Sequence, residues 1–377
     1  MVYNAAVATR RDAYRNGAQY PSSTQLQRRL ITEAKTTPER AFLAEVSNIV
    51  LQQAVRDCDA AYSRFFEAIK GASPRFVGHP RFKSRKDRRQ AIRLHSGGFH
   101  IRANGKLRLA KIGDLKVTWS RDLPAPPSSV TVIRDAAGRY FASFVVEAGE
   151  ETSPPAVDAD GAEIETALDL RLNHFAVDQH GNTITNPRCL RRAERRLRKA
   201  QKALSRKQPG SNNRAKARRH LARCHAKVAD TRADWLHQQT TRIVRENQAI
   251  YIEDLAVQGL ARSRLAKSVQ DAAWGQFRRL LEEKAHRWAR TLVASAASSR
   301  PSQVCSACGR HDGAKPLAVR TWTCTGCGTR HDRDNNATRN SLALGRRERL
   351  NACGADVSPS LGMAVGGEAG THQPAPT

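Results

Sequence analysis

Two cysteine pairs, Cys305-Ser-Ala-Cys308 and Cys324-Thr-Gly-Cys327, stand fifteen residues apart and restrict the fold of this chain more than any other feature. A CxxC turn presents two thiolates from one tight knuckle, and four thiolates at this spacing suit a tetrahedral zinc ion. Gly309 and Gly328 follow the second cysteine of each pair, where the knuckle backbone calls for positive φ. One CxxC alone would read equally well as a redox motif; two at this spacing predict a zinc ribbon. With all four positions filled by cysteine, no coordination site is left for a catalytic water, so the predicted zinc is structural. The other cysteines, Cys58, Cys189, Cys224 and Cys353, lie far apart in the sequence. Cys58 falls on an apolar helical face and reads as a core residue, and the remaining three take no predicted role.

The charge balance points to a partner. The chain has 377 residues, 64 Lys and Arg against 35 Asp and Glu, and a formal net charge of +29. Self-repulsion of that size suits a chain that meets a polyanion. Aromatic residues are scarce and no apolar run approaches the roughly 18 residues of a membrane span. The N-terminal MVYNAAVATRRDAY lacks the apolar core of a secretory signal. These features predict a cytoplasmic, nucleoid-associated protein of two or three domains that binds nucleic acid and no membrane, with its thiols free rather than paired in disulfides.

Residues 1–80 read as a helical unit. Helical periodicity runs over Val2–Tyr14 and Gln25–Ala34, and one long helix is predicted from Thr37 to Ile69, with Pro38 at its first position. A basic run follows, containing Arg81, Lys83, Arg85, Lys86, Arg88 and Arg89, and is read as nucleic-acid contact over the alternative of an exposed linker. From there to residue 148 the period changes to that of antiparallel strands: Phe99–Arg102 and Lys106–Leu109 around Asn104-Gly105, then Leu115–Trp119, Ser129–Ile133 and Tyr140–Val146. Residues 149–162 resemble a linker. A second unit, 163–300, opens with short strands joined at His180-Gly181-Asn182 and carries a basic insertion at 188–240. Between Arg188 and Lys227 there are sixteen Lys or Arg and one acid, Glu194, with a break at Gln208-Pro209-Gly210 that predicts two basic helices in a hairpin. Arg191, Arg192, Arg195, Arg196, Arg198 and Lys199 are its candidate phosphate contacts. Ile250–Ile252 reads as a buried strand and Trp274–Ala289 as an amphipathic helix whose Trp274 and Phe277 face the core. Trp322 is expected to pack on the zinc knuckle, and His331 is assigned no role. The ribbon spans 301–330, a last segment 331–344, and 345–377 reads as a disordered tail.

Three acids sit where chemistry could use them: Asp169 and Glu253 at strand ends, and Asp334 in HDRDNNATRN. Carboxylates brought together beside apolar strands are costly unless a cation neutralises them. Magnesium or manganese would do so, and a pair of such ions serves phosphodiester hydrolysis. Separations of 84 and 81 residues do not by themselves establish that the three converge.

At these positions, and from the N-terminus to about Leu344, the chain resembles the TnpB (OrfB) family of transposon-encoded RNA-guided nucleases, relatives of the type V CRISPR effectors. The resemblance rests on ALDLRLNHFAVDQHGN, IYIEDLAVQGL with LAKSVQDAAWGQFRRLLEEKA, and PSQVCSACG through RTWTCTGCGTRHDRDNNATRN, with weaker echoes in LAEVSNIVLQQAVRDCDAAYSRFF and PRFKSRKDRRQ. It implies an α+β multidomain chain. A helical recognition unit and an antiparallel β-barrel (wedge) domain would precede an RNase H-like (RuvC) α/β nuclease domain, itself carrying the inserted basic hairpin and the zinc ribbon. It also implies that Asp169, Glu253 and Asp334 are the catalytic acids and hold magnesium or manganese, Asp332 being the alternative third acid. The implied partners are a guide RNA from the transposon end, bound by a monomer, and target double-stranded DNA.

Two departures stand out. Family members usually open with a short strand and part of a helix ahead of the segment at which this chain begins, so the barrel is expected to lack an edge strand or the start to lie upstream. Two places after Asp169, where the family commonly has a small residue, stands Arg171. Its guanidinium could pair with Asp169 and compete for metal, or point into solvent. Cleavage is the leading function; the alternatives are guide-dependent DNA binding with little or no cleavage, and strand-transferring transposition.

Overall fold

The computed structural model describes residues 1–352 apart from 72–76, 85, 88, 148–152, 297–300 and 317–318. The chain divides into two units, Met1–Gly149 and Glu150–Thr377. Arg85, Arg88, Cys353 and the expected tail beyond residue 352 lie outside the described residues, as does the start of the expected linker. Among the described residues, no helix is long and apolar enough to cross a membrane.

The first unit opens with α1 (Val2–Arg15) and α2 (Ser23–Gln27), the latter started by a capping box between Ser22 and Gln25. The single helix expected from Thr37 to Ile69 is interrupted. A 3₁₀ segment covers Pro38–Glu45, Val46 is extended, and α3 (Asn48–Ile69) starts afresh from a non-helical Ser47. The break turns Leu43 inward and leaves Phe42 exposed. Leu43 then joins Val7, Leu26, Leu51, Val55, Cys58 and Tyr62 in one apolar cluster. Periodicity registers the apolar residues but not this change of phase.

Six strands follow: β1 (Gln90–His95), β2 (Phe99–Ile101), β3 (Leu107–Leu109), β4 (Gly113–Leu115), β5 (Ser129–Arg134) and β6 (Tyr140–Val145). They form two antiparallel three-stranded sheets, β1-β5-β6 and β2-β3-β4, and not the closed barrel expected. Strand β1 was hidden in the basic run: Ile92 and Leu94 alternate with the exposed Ala91 and Arg93, and only the former reach the core. The Asn104-Gly105 turn forms as expected, with Gly105 at φ +75°. Trp119 is not in a strand. Its indole N–H donates to the Gly105 carbonyl at 2.9 Å, and its ring stacks on Phe144, which leaves β4 short.

The second unit is built on a mixed sheet of order β11-β10-β7-β8-β9. Strands β7 (Glu165–Leu170), β8 (His174–Asp178) and β9 (Thr183–Thr185) run as an antiparallel meander. The hairpin α4 (Cys189–Ser205) and α5 (Asn212–Glu246) then leads to β10 (Ala249–Asp254), which pairs in parallel with β7. Next come α6 (Val257–Leu260), α7 (Ala266–Ala272), α8 (Trp274–Arg287) and β11 (Thr291–Ala296), which pairs in parallel with β10. The ribbon strands β12 (Thr321–Thr323) and β13 (Arg330–Asp332) precede α9 (Arg333–Ala352). Helix α9 thus continues into the stretch expected to be a tail. Asp271 on α7 accepts the N–H groups of Leu190 and Arg191 at 2.7 and 3.2 Å, capping α4 and fixing the hairpin to the sheet's helices. Cys189 and Cys224, given no role from the sequence, pack with Leu197, Ala200 and Val228 between the hairpin's arms.

The central strands are covered on both faces, as a parallel pair requires. Leu168, Leu170, Ile250 and Ile252 point to one face, against Leu236, Val244, Trp274, Phe277 and Leu281 of the helices. Ala167, Ala249 and Tyr251 point to the other, where Leu342 of α9 packs. Helix α9 lies close because Gly345 faces the Tyr251 ring: an added Cβ would overlap Tyr251 Cδ1. At the same end Arg346 pairs with Glu165, Arg349 with Glu163 at 2.6 Å, and the Tyr251 hydroxyl donates to Glu165 at 2.9 Å. In an exposed helix, Gly→Ala gains about 1 kcal/mol. Here Gly345→Ala is expected to lose about 1–3 kcal/mol through overpacking, read as a lower thermal midpoint; a higher midpoint would refute the close approach.

Candidate active site and metal centre

Strand periodicity decides where the acids point. Side chains alternate between faces, so Asp169 shares a face with Ala167, and Glu253 shares one with Tyr251. That is the face covered by α9. Ile252 is paired with Leu168, so Asp169 and Glu253, each one position further along, stand side by side on neighbouring strands. Asp334 lies in the first turn of α9. Asp332, the alternative third acid, is engaged elsewhere: its Oδ1 accepts the N–H groups of Asp334 and Asn335, each at 2.9 Å, and so caps α9.

Arg171 closes the arrangement. Its Nε donates to Asp169 Oδ2 at 2.9 Å, Nη2 reaches the same oxygen, and Nη1 pairs with Asp334 Oδ2. One guanidinium therefore bridges two of the three acids, and Arg320 Nη1 stands 3.7 Å from the other oxygen of Asp334. Of the two orientations open to Arg171 in the sequence, the structure has the one facing the acids. The side chains of Asp169, Arg171 and Asp334 are each less than a third exposed. Burial raises the Asp169 carboxyl against the pull of Arg171. Burial, and then the charge of Asp169, raise Glu253, with Arg171 again opposing. The influence of Asp169 on Glu253 is the electrostatic mark of their adjacency. Three carboxylates thus face the same side of the sheet, two of them raised by burial, but among the described residues only the four cysteines have ligand atoms close enough together to hold one metal ion as a group of three or more.

The four cysteines converge. All four sulfurs of Cys305, Cys308, Cys324 and Cys327 lie within 4.8 Å of one another and could hold one tetrahedral metal ion. The knuckles repeat one geometry. The N–H of Cys305 donates to Arg310 and that of Gly309 to Cys305, both at 2.9 Å; the N–H of Cys324 donates to Thr329 and that of Gly328 to Cys324, at 2.9 and 3.0 Å. Gly309 and Gly328 have φ of +73° and +69°. The Thr329 hydroxyl, then its N–H, draw the Cys327 thiol down to about 6, towards the thiolate a metal needs.

Residues that sequence reasoning left aside join the two centres. His331 Nε2 lies 3.0 Å from Cys305 Sγ, and its ring packs on Trp322 at 4.8 Å between centroids. Trp322 lies on the knuckle as expected. Asn336 donates to the Val304 carbonyl and accepts from the Ser306 N–H, both at 2.8 Å, and Asn340 donates to Val304 at 2.7 Å. The signal was the spacing: Asn336 and Asn340 are four apart, one helical turn, facing the first knuckle.

Arg192, Arg195, Arg196 and Lys199 are all exposed along α4. Arg191 and Arg198 are engaged, with Ser268 at 2.8 Å and Glu194 at 2.9 Å. In the first unit Arg81, Lys86 and Arg89 are exposed, whereas Lys83 pairs with Asp57 at 3.1 Å and lies over the Tyr3 ring.

Comparison with known proteins accords with this layout. A family described as "Probable transposase" (OrfB of IS605-type elements) matches residues 143–264, and a "Cas12f1-like, TNB domain" matches 274–341. A Streptomyces pristinaespiralis protein named "Putative RNA-guided DNA endonuclease" is 41% identical over 377 residues, covering 99% of this chain and 89% of its own. The Escherichia coli K12 protein of the same name, InsQ, is 28% identical over 369 residues, covering 94% and 87%. Among solved structures, Cas12f1 in complex with sgRNA and target DNA matches with a TM-score of 0.56 at 13% identity, over 90% of this chain and 80% of that one, a likeness of fold. On the strength of the Streptomyces relative and of the OrfB family match, the chain belongs to the TnpB (OrfB) family.

Proposed function

We propose that the chain is an RNA-guided, divalent-metal-dependent DNA endonuclease encoded by a transposable element, with an RNase H-like (RuvC) three-carboxylate site of Asp169, Glu253 and Asp334. The observation that carries this reading is that two acids on adjacent strands and a third on the helix above share one partly buried face, with a cation already drawn between them. The donor set fits magnesium or manganese, which when bound would activate water and stabilise the leaving oxygen. Asp169 and Glu253 orient the site from the rigid sheet, and Asp334 is set by the register of α9 on that sheet. The mixed sheet with its helical insertion supports an RNase H-like domain, and the two cysteine knuckles support a structural zinc.

Cations along α4, in a chain of net charge +29, supply sequence-blind phosphate contact. Such contact suits a guide RNA, transcribed from the transposon end, and its heteroduplex with target DNA, gripped by a monomer. Guide-dependent binding with little cleavage is the second reading. It is favoured by one observation, the pairing of Arg171 with both Asp169 and Asp334.

Asp169→Ala, in protein purified with its RNA, is expected to lower cleavage of a guide-matched duplex by on the order of 10³-fold, the worth of several kcal/mol of charge stabilisation. Unchanged cutting would refute the assignment; tight guide-dependent binding by the unmodified protein without nicking would favour the second reading, and joined transposon ends would favour transposition. Elemental analysis is expected to find one zinc per chain. Its removal by a strong chelator should depress cleavage even after magnesium is restored, because the first knuckle is tied to α9 through Asn336 and Asn340; full activity in zinc-free protein would contradict that link. Replacing Arg192, Arg195, Arg196 and Lys199 by alanine should flatten the log–log salt dependence of RNA binding by about 0.7–0.9 for each phosphate no longer neutralised, and an unchanged slope would remove α4 from the interface.

A further inference from the structure

Resting on the metal-dependent reading above, we propose that Arg171 takes the place of one of the two cations of a three-carboxylate site, so that the site holds a single divalent ion, bound by Asp169 and Glu253. The geometry divides the acids unequally. Arg171 meets Asp169 through Oδ2 and Asp334 through Oδ2, spanning the gap between strand β7 and helix α9. Glu253 stands on the other side of Asp169, on strand β10. The guanidinium therefore occupies the Asp169–Asp334 side and leaves the Asp169–Glu253 side to a metal.

Position and chemistry make this placement persistent. Arg171 directly follows the strand, and its N–H still donates to the Phe175 carbonyl at 3.1 Å, so its backbone is held by the β7–β8 hairpin rather than by a loose loop. The residue two places beyond Asp169 in an extended chain shares its face, which aims the side chain at the acids. A guanidinium keeps its charge at every working pH, and its planar fork suits two carboxylates at once. Its side chain is only 19% exposed, so withdrawing it would leave two carboxylates half-buried and unpaired.

Charge balance agrees. Three carboxylates set against Arg171 leave at most two negative charges, fewer with Arg320 Nη1 at 3.7 Å from Asp334, so a single divalent ion is enough to cancel them. A second ion beside Arg171 would leave two uncompensated positive charges in a partly desolvated site. The guanidinium also presents a fixed array of N–H donors beside the acids, the kind of group that receives developing charge on a phosphoryl oxygen.

Manganese binding tests this without relying on cleavage. Zinc-replete, full-length protein is titrated with Mn2+, and bound ions are counted and their coupling read by electron paramagnetic resonance. One Mn2+ per chain is expected for the unmodified protein and for Arg171→Lys, which keeps the charge. Arg171→Gly should bind two, with the spin coupling of ions about 3.5–4 Å apart, and Asp169→Ala none. In parallel, the magnesium dependence of cleavage should change from first order to second order in Arg171→Gly. Two coupled ions in the unmodified protein, or the same number in Arg171→Gly as in the unmodified protein, would overturn the inference while leaving metal-dependent cleavage intact. No manganese in any variant, with cleavage indifferent to Asp169→Ala, would remove the underlying reading as well.

Discussion

Repulsion among carboxylates is the constraint around which the second unit is organised. Asp169 and Glu253 are neighbours on one face of a sheet, Asp334 is brought to the same face by α9, and partial burial denies them the water that would screen them. Such a group persists only if positive charge is placed among the acids. The chain supplies part of that charge itself through Arg171, and the remaining negative charge is what a metal ion would meet. That unmet charge is the physical basis of the proposed metal site.

The rest of the unit supports this arrangement. The buried strand β10 and the covered strand β7 give the first two acids a rigid base. Helix α9 places the third, and its register is fixed at both ends. Near Asp334, Asp332 caps the helix while Asn336 and Asn340 grip the first cysteine knuckle. At the far end Gly345 admits the Tyr251 ring, Arg346 pairs with Glu165 at the start of β7, and Arg349 pairs with Glu163 just before it. Strand β7 carries Glu165 and Asp169, and α9 carries Arg346 and Asp334, so two points of attachment set the separation of the two acids. The cysteine knuckles thus bear on the third acid without touching it.

Candidate ligand and acid side chains were easiest to find in the sequence. Four cysteines in two CxxC turns and acids closing apolar strands can be recognised by residue type and spacing, and the structure gathers the cysteines around one point. The basic hairpin was visible because its break, Gln208-Pro209-Gly210, is chemical punctuation. What escaped was set by packing between distant segments. Ile92 and Leu94 were masked by neighbouring charges, so β1 was missed, and the strands expected to close a barrel pair instead as two small sheets. The interruption at Val46-Ser47 depends on which of Phe42 and Leu43 faces the core, a choice made by tertiary contacts. The extension of α9 through Ala352 is stabilised by ion pairs to residues more than 180 positions earlier. The orientation of Arg171 was likewise undecidable until Asp334 was in place above it.

Iron-mediated backbone scission measures the central claim most directly. Ferrous iron substitutes for magnesium at oxygen-ligand sites, and with ascorbate and peroxide it cuts the nearest polypeptide. If the three acids are gathered around one bound cation, whether or not all of them ligate it, zinc-replete protein should be cut close to Asp169, Glu253 and Asp334, three regions far apart in the chain, and excess magnesium should suppress all three cuts together. Cuts at only one of these regions, or cuts that magnesium does not suppress in concert, would contradict it.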